Sequence, residues 1–103
     1  MFSDEARANI QDAVLAELAN AVKNYGKTYN SLHEGYAVLL EEVEEAADDM
    51  TYIKNNLGVL WQKIKTNECT DTALLTVIEG TAEMLALEAV QIAAVCGKFK
   101  KGL

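Results

Sequence analysis

Apolar residues return every three or four positions along this chain, in three separate runs. The first is Ala6, Ile10, Val14, Leu18, Ala21 and Tyr25, a spacing that lines one face of a helix. Ser3 precedes it as an N-cap, Asp4 and Glu5 suit the positive end of the helix dipole, and Gly26 stands where a left-handed residue ends a helix. The second run is Leu32, Tyr36, Leu39, Val43, Ala46, Met50, Ile53, Leu57, Leu60 and Ile64. Its steps alternate four and three without a miss, which is a heptad seam. Ser31 and Glu34 open it with an S-x-x-E capping pattern. Gly58 costs about 1 kcal/mol in a helix interior, so a kink between Asp49 and Gly58 is the alternative to one helix reaching about Lys65. The unbroken seam favours the single helix. The third run is Leu75, Ile78, Ala82, Leu85, Ala89, Ile92, Cys96 and Phe99, with Thr70 or Asp71 as its N-cap. Lys98, Lys100 and Lys101 fall at its C-terminal end, where the dipole favours cations, and Gly102 marks the stop.

These runs predict an all-α domain spanning residues 1–103: an antiparallel helical hairpin with an N-terminal helix packed alongside. Composition agrees, with no proline, six glycines and half the residues hydrophobic, because a β-fold of this size needs many more turn residues. Seams this long on so short a chain leave more apolar surface than one copy covers. A helical bundle completed by oligomerisation is therefore expected, as a homodimer or homotetramer. The net charge of −7 repels phosphate backbones and argues against nucleic acid as a partner. "MFSDEARANI" carries neither the basic nor the apolar part of a signal peptide, and no run approaches the ~18 apolar residues of a membrane span. A cytoplasmic protein without a membrane partner is expected. Cys69 and Cys96 belong to no ligand pattern and read as free thiols.

The stretch "SLHEGYAVLLEEVEEAADDM" holds seven acidic side chains on the second helix. Labelled by the seam, Glu42 and Glu45 share one flank with Asp49 a turn further on, Glu41 and Asp48 point outward, and Glu44 lies on the other flank. Glu88 and Gln91 occupy the same seam positions on the third helix, and in an antiparallel pair these flanks face each other. With the turn centred near Cys69, Glu45 is expected level with about residue 93, within roughly 7 Å of Glu88 along the axis. Glu42, Glu45 and Glu88 are thus candidate ligands for Mg2+ or Mn2+, which take oxygen donors. The plainer reading is a solvated acidic face. Glu79 and Glu83 form a rival pair, further from Glu45.

"SLHEGYAVLLEEVEEA" and "LEAVQIAAVCGKF" together resemble a phage-associated branch of the MazG-like, all-α nucleotide pyrophosphohydrolase superfamily, over about residues 25–49 and 85–100. The resemblance implies helical hairpins assembled as dimers or tetramers. It also implies magnesium held by ExxE on one helix and ExxD on the next, and hydrolysis of nucleoside triphosphates to monophosphate and pyrophosphate. Glu42 and Glu45 match ExxE, Glu41 matches the acid before it, and Glu88 matches the first acid of the second pair. On that pattern Glu41 orients the attacking water, while Glu42, Glu45 and Glu88 hold the metal. Gln91 stands where the catalytic families have aspartate, and is assigned a hydrogen bond to a phosphate or to a metal-bound water. The loss of one negative ligand points to weak or degenerate activity. The segment from Met50 to Met84 is also longer than the superfamily usually has.

His33 reads as a capping or surface residue, and Trp61 and Tyr52 as interface or core aromatics that are secondary candidates for stacking a base. Lys54, with Lys23 behind it, is the candidate phosphate contact. No Ser/His/Asp set, glycine-rich phosphate loop or zinc spacing is present. Two functions follow: a magnesium-dependent nucleotide pyrophosphohydrolase, or a non-catalytic, phage- or prophage-related helical bundle that acts by oligomerisation and interaction.

Overall fold

Local capping sets the helix boundaries in the computed structural model, which describes residues 2–69 and 71–103. Helix α1 spans Asp4–Tyr25, α2 Leu32–Lys65 and α3 Ala73–Lys101, and the described residues contain no strand. Ser3 Oγ accepts from the Ala6 N–H at 3.1 Å, and α1 ends at Gly26 with φ 90°. Ser31 Oγ accepts from the Glu34 N–H at 3.0 Å, the first half of a capping box. The second half departs from the expected pattern. The Glu34 carboxylate accepts from the Asn30 backbone N–H at 3.3 Å and from Asn30 Nδ2 at 3.0 Å. Helix α2 runs unbroken for 34 residues through Gly58, so the seam outweighs the glycine. Thr70, one of the two expected caps of α3, lies outside the described residues. The N-cap position of α3 falls instead on Thr72, whose side chain makes no capping hydrogen bond; Asp71, one residue earlier, accepts from the Ala73 N–H through Oδ1 at 3.0 Å.

Helix α3 packs against both α1 and α2. Two glycines make these approaches close. A Cβ on buried Gly35 would lie 2.7 Å from the Phe99 ring, and one on Gly97 would lie 3.2 Å from Leu18. Tyr29, in the α1–α2 connector, meets Phe99 edge-on, with centroids 6.0 Å apart and planes at 74°. Gly35→Ala would gain about 1 kcal/mol of helix propensity. It would also drive a methyl group into a ring already held by Tyr29, an overpacking that costs roughly 1–3 kcal/mol. We expect chemical denaturation to show net destabilisation; a stabilised variant would mean that Phe99 moves aside without cost.

The core of a single chain is thin. Ala94 and Val95 are its buried hydrophobic residues among those described. The accessible surface is 7681 Å², against about 5,700 Å² expected for a compact monomer of 11.3 kDa. The radius of gyration is 17.6 Å, against about 13 Å for a compact domain of this length. Much of the excess lies on α2. Tyr36, Val43, Met50, Leu57 and Ile64, one every seventh residue, are all exposed and form a stripe along the helix. Leu39, Ala46, Ile53 and Leu60, the alternate seam positions, are half-buried. Among the described residues no helix is long and apolar enough to cross a membrane.

Candidate metal centre

Glu42 and Glu45 are three residues apart on α2 and Glu88 lies on α3, yet each offers a carboxylate oxygen within 4.8 Å of the other two. Packing fixes this convergence. With Gly35 against Phe99, and α2 and α3 running in opposite directions, Glu45 comes level with about Ala89 at 1.5 Å rise per residue. That register differs by about four residues from the one expected with a turn centred at Cys69. The connector turns earlier, at Asn67, which adopts a left-handed φ of 58°. The earlier turn brings Glu88 directly beside the α2 pair.

Crowding shows in the proton affinities. Partial burial is the first cause that pushes the Glu42 carboxyl above its ordinary 4.5, followed by the charge of Glu45; a hydrogen bond with Glu88 opposes the rise, and Glu41 adds to it. Glu45 is raised first by its hydrogen bond and charge interaction with Glu88, with smaller contributions from desolvation, Glu41 and Asp49. Negative groups this close resist ionising together. A divalent cation relieves that repulsion. The donor set contains only carboxylate oxygens, which suits Mg2+ or Mn2+ better than zinc, whose sites favour His and Cys.

The other expected site residues divide. Glu41 is exposed and adjoins the trio, since its charge acts on both Glu42 and Glu45. Gln91 faces α1: its Nε2 donates to Glu17 Oε2 at 2.9 Å. Glu17 was not singled out from the sequence, because nothing in the α1 pattern tells which α3 residue it will meet. Lys54 is exposed. It lies about 13 Å beyond Glu45 along α2 and half a turn around the helix, so one copy of the chain does not bring it to the trio. Lys54 shares a shallow groove with Leu57 and Trp61 instead. Trp61 is about 24 Å from Glu45 along the axis, with Lys65 Nζ 5.7 Å from its ring centroid. Tyr52 is nearer, lining a groove between α2 and α3 with Asp49 and Met84.

His33 and Lys23 are exposed, as are Glu79 and Glu83. Among the described residues, the only acidic group gathered closely enough to share an ion is Glu42, Glu45 and Glu88. Cys69 is exposed, Cys96 is half-buried, and both are free. Lys98 differs from its helix-end neighbours Lys100 and Lys101, which are exposed. It is 4 % exposed, with its Nζ 4.3 Å from the Tyr29 ring centroid.

Comparison of the chain with protein-family models, with curated proteins and with solved structures finds no match.

Proposed function

We propose that this chain is a magnesium- or manganese-dependent nucleoside triphosphate pyrophosphohydrolase of the MazG-like type. In this reading α2 and α3 form the antiparallel hairpin of a homo-oligomer. The observation that carries the reading is the meeting of Glu42, Glu45 and Glu88 within 4.8 Å across two helices. These three carboxylates match the metal-binding positions of the motifs that the sequence resembles. When bound there, a divalent ion supplies Lewis-acid polarisation of a phosphoryl group. Glu41, exposed beside the trio, is the group assigned to orient the attacking water. Gln91 spends its amide N–H on Glu17, and its carbonyl oxygen serves as an uncharged acceptor where the superfamily has an anionic ligand. Slow turnover is the expected consequence. The Tyr52 groove beside Asp49 is where the base of a nucleotide would lie.

Oligomerisation is part of the same proposal. The surface in excess of a compact monomer, about 2,000 Å² per chain, matches what an obligate partner covers. The heptad stripe of Tyr36, Val43, Met50, Leu57 and Ile64 has the spacing of a helix-to-helix seam. A second copy of the chain is the occupant this symmetry suits, with a dimer as the simplest closure.

The test is calorimetry with Mn2+ on the wild type, Glu45→Ala and Glu88→Ala, followed by pyrophosphate release from a panel of nucleoside triphosphates. Wild-type binding that disappears in both variants, with helicity unchanged, is the expected result. If the wild type neither binds Mn2+ nor releases pyrophosphate, the exposed stripe favours the second reading, a non-catalytic oligomeric bundle.

A further inference from the structure

Charge on α2 is segregated along its length. Seven carboxylates lie between Glu34 and Asp49 with no lysine or arginine among them. From Met50 to Lys65 the order reverses, with Lys54, Lys63 and Lys65 and no acid. One half of the helix is therefore strongly negative and the other positive.

The uncovered apolar face is as sharply defined. Helix α3 is the element packed against α2, and the half-buried positions of α2 include Leu39, Glu42, Ala46, Asp49, Ile53 and Leu60. Roughly 90° around the helix from that contact runs the stripe of Tyr36, Val43, Met50, Leu57 and Ile64, flanked by Leu40 and Trp61, all exposed. Gly58 shares a shallow groove on this face with Leu57 and Trp61. A Cβ built on Gly58 would meet nothing within 4 Å. Packing within one chain thus gives no reason for a residue that costs a helix interior about 1 kcal/mol.

Two copies laid along this face in the same direction set the seven carboxylates of one against the seven of the other, a like-charge juxtaposition that disfavours pairing. Reversing one copy sets each acidic half against a basic half. The stripe has its midpoint at Met50. A twofold axis there covers its whole length, with Tyr36 opposite the partner's Ile64 and Val43 opposite the partner's Leu57. A twofold axis also keeps the flanking positions on one side of the seam. Leu40 then comes within one residue of the level of the partner's Trp61, in the space that Gly58 leaves open. Lys54 comes within about 3 Å along the axis of the partner's Glu44.

We infer that α2 pairs antiparallel with α2 of a second copy, with Met50 on the twofold axis. Leu40 and Val43 of each subunit fill the groove at Leu57, Gly58 and Trp61 of the other, and Lys54 meets Glu44 across the seam. The inference rests on the proposed oligomer and deepens it by giving the orientation and register. Glu42 and Glu45 lie roughly 140° and 180° around α2 from this face, so each subunit keeps its own acidic trio whole.

Thiol cross-linking tests the register, using the full chain with Cys69→Ser and Cys96→Ala and a short bis-maleimide as the probe. Met50→Cys alone should give a covalent dimer. Val43→Cys and Leu57→Cys should give little dimer separately and a covalent dimer when mixed. Self-cross-linking of Val43→Cys overturns the inference in favour of a parallel pair. No cross-linking of the mixture, in a protein that sediments as a dimer, overturns it too. Charge gives a second readout in the otherwise unaltered chain. Lys54→Glu should weaken dimerisation by about tenfold, since the twofold axis repeats each ion pair, and adding Glu44→Lys should restore it. Failure of the double exchange to restore the dimer overturns the register. A wild type that sediments as a monomer removes the oligomer and this inference together, whereas a dimer with the wrong cross-links removes this inference alone.

Discussion

Millimolar Mn2+ at about pH 7 should raise the melting temperature of the metal-free protein by on the order of 10 °C if the proposed centre binds it, the shift that follows from a ligand at roughly a hundred times its Kd. The effect fades as pH falls. Its sign comes from Glu42 and Glu45, both raised above their ordinary 4.5 in the folded chain. A carboxyl whose folded pKa is raised favours folding when protonated. That contribution is fully present below 4.5 and is lost as pH rises through the higher folded values. Without a cation, these two groups therefore make the neutral protein less stable than the mildly acidic one. With a cation, protons and metal compete for the same oxygens, so the stabilisation appears at neutral pH and vanishes near about pH 4. Glu42→Gln removes one of the crowded charges. It should raise the metal-free melting temperature at neutral pH and abolish most of the Mn2+ shift. A metal-free Glu42→Gln protein that melts lower than wild type would show that the carboxylates are not in conflict.

Placing charges on the α2 stripe should dissociate the proposed oligomer completely. Leu57 and Ile64 are 56 % and 47 % exposed in a single chain, and aspartate at such exposed positions usually changes the stability of a lone fold by no more than about 0.5 kcal/mol. Across a seam the same changes bury unpaired charge against a second copy, which costs several kcal/mol. Leu57→Asp combined with Ile64→Asp is therefore expected to sediment as a monomer, and the wild type as the proposed dimer. Its thermal stability should also drop, because a thin core loses its cover. Sedimentation of the wild type as a monomer at tens of micromolar, a range in which an interface of about 2,000 Å² per chain is normally occupied, would remove the oligomer from the proposal.

Much of the local structure was legible because capping and periodicity are short-range. Ser3, Gly26 and Ser31 act where the sequence places them, and the seam carries α2 past Gly58. The meeting of Glu42, Glu45 and Glu88 was legible too, since heptad positions specify which flank a side chain occupies. Register was less accessible. It depends on where the connector reverses, and a left-handed Asn67 leaves no periodic trace. Contacts between helices were hidden for the same reason. Gln91 bonds to Glu17, 74 positions away in sequence, and only the crossing of α1 over α3 selects that pair. The burial of Lys98 was not foreseen, because a lysine at a helix C-terminus is ordinarily solvated. Its burial follows from Tyr29 folding back over it, a product of the connector's path. Gly35 was unremarked for a related reason, since a glycine forced by a neighbour's bulk looks like any other until Phe99 is seen against it.

Helix α1 buries none of its own described residues and is fastened to the molecule mainly by α3, through Leu18 against Gly97 and Glu17 with Gln91. So shallow an attachment makes α1 the part of the fold that opens first. It also divides the molecule by tolerance to sequence drift. Most positions of α1 can change freely, whereas Glu17 and Leu18 are constrained by what they touch on α3. Variation among descendants of this chain should accordingly concentrate at its front end and thin out sharply at those two residues.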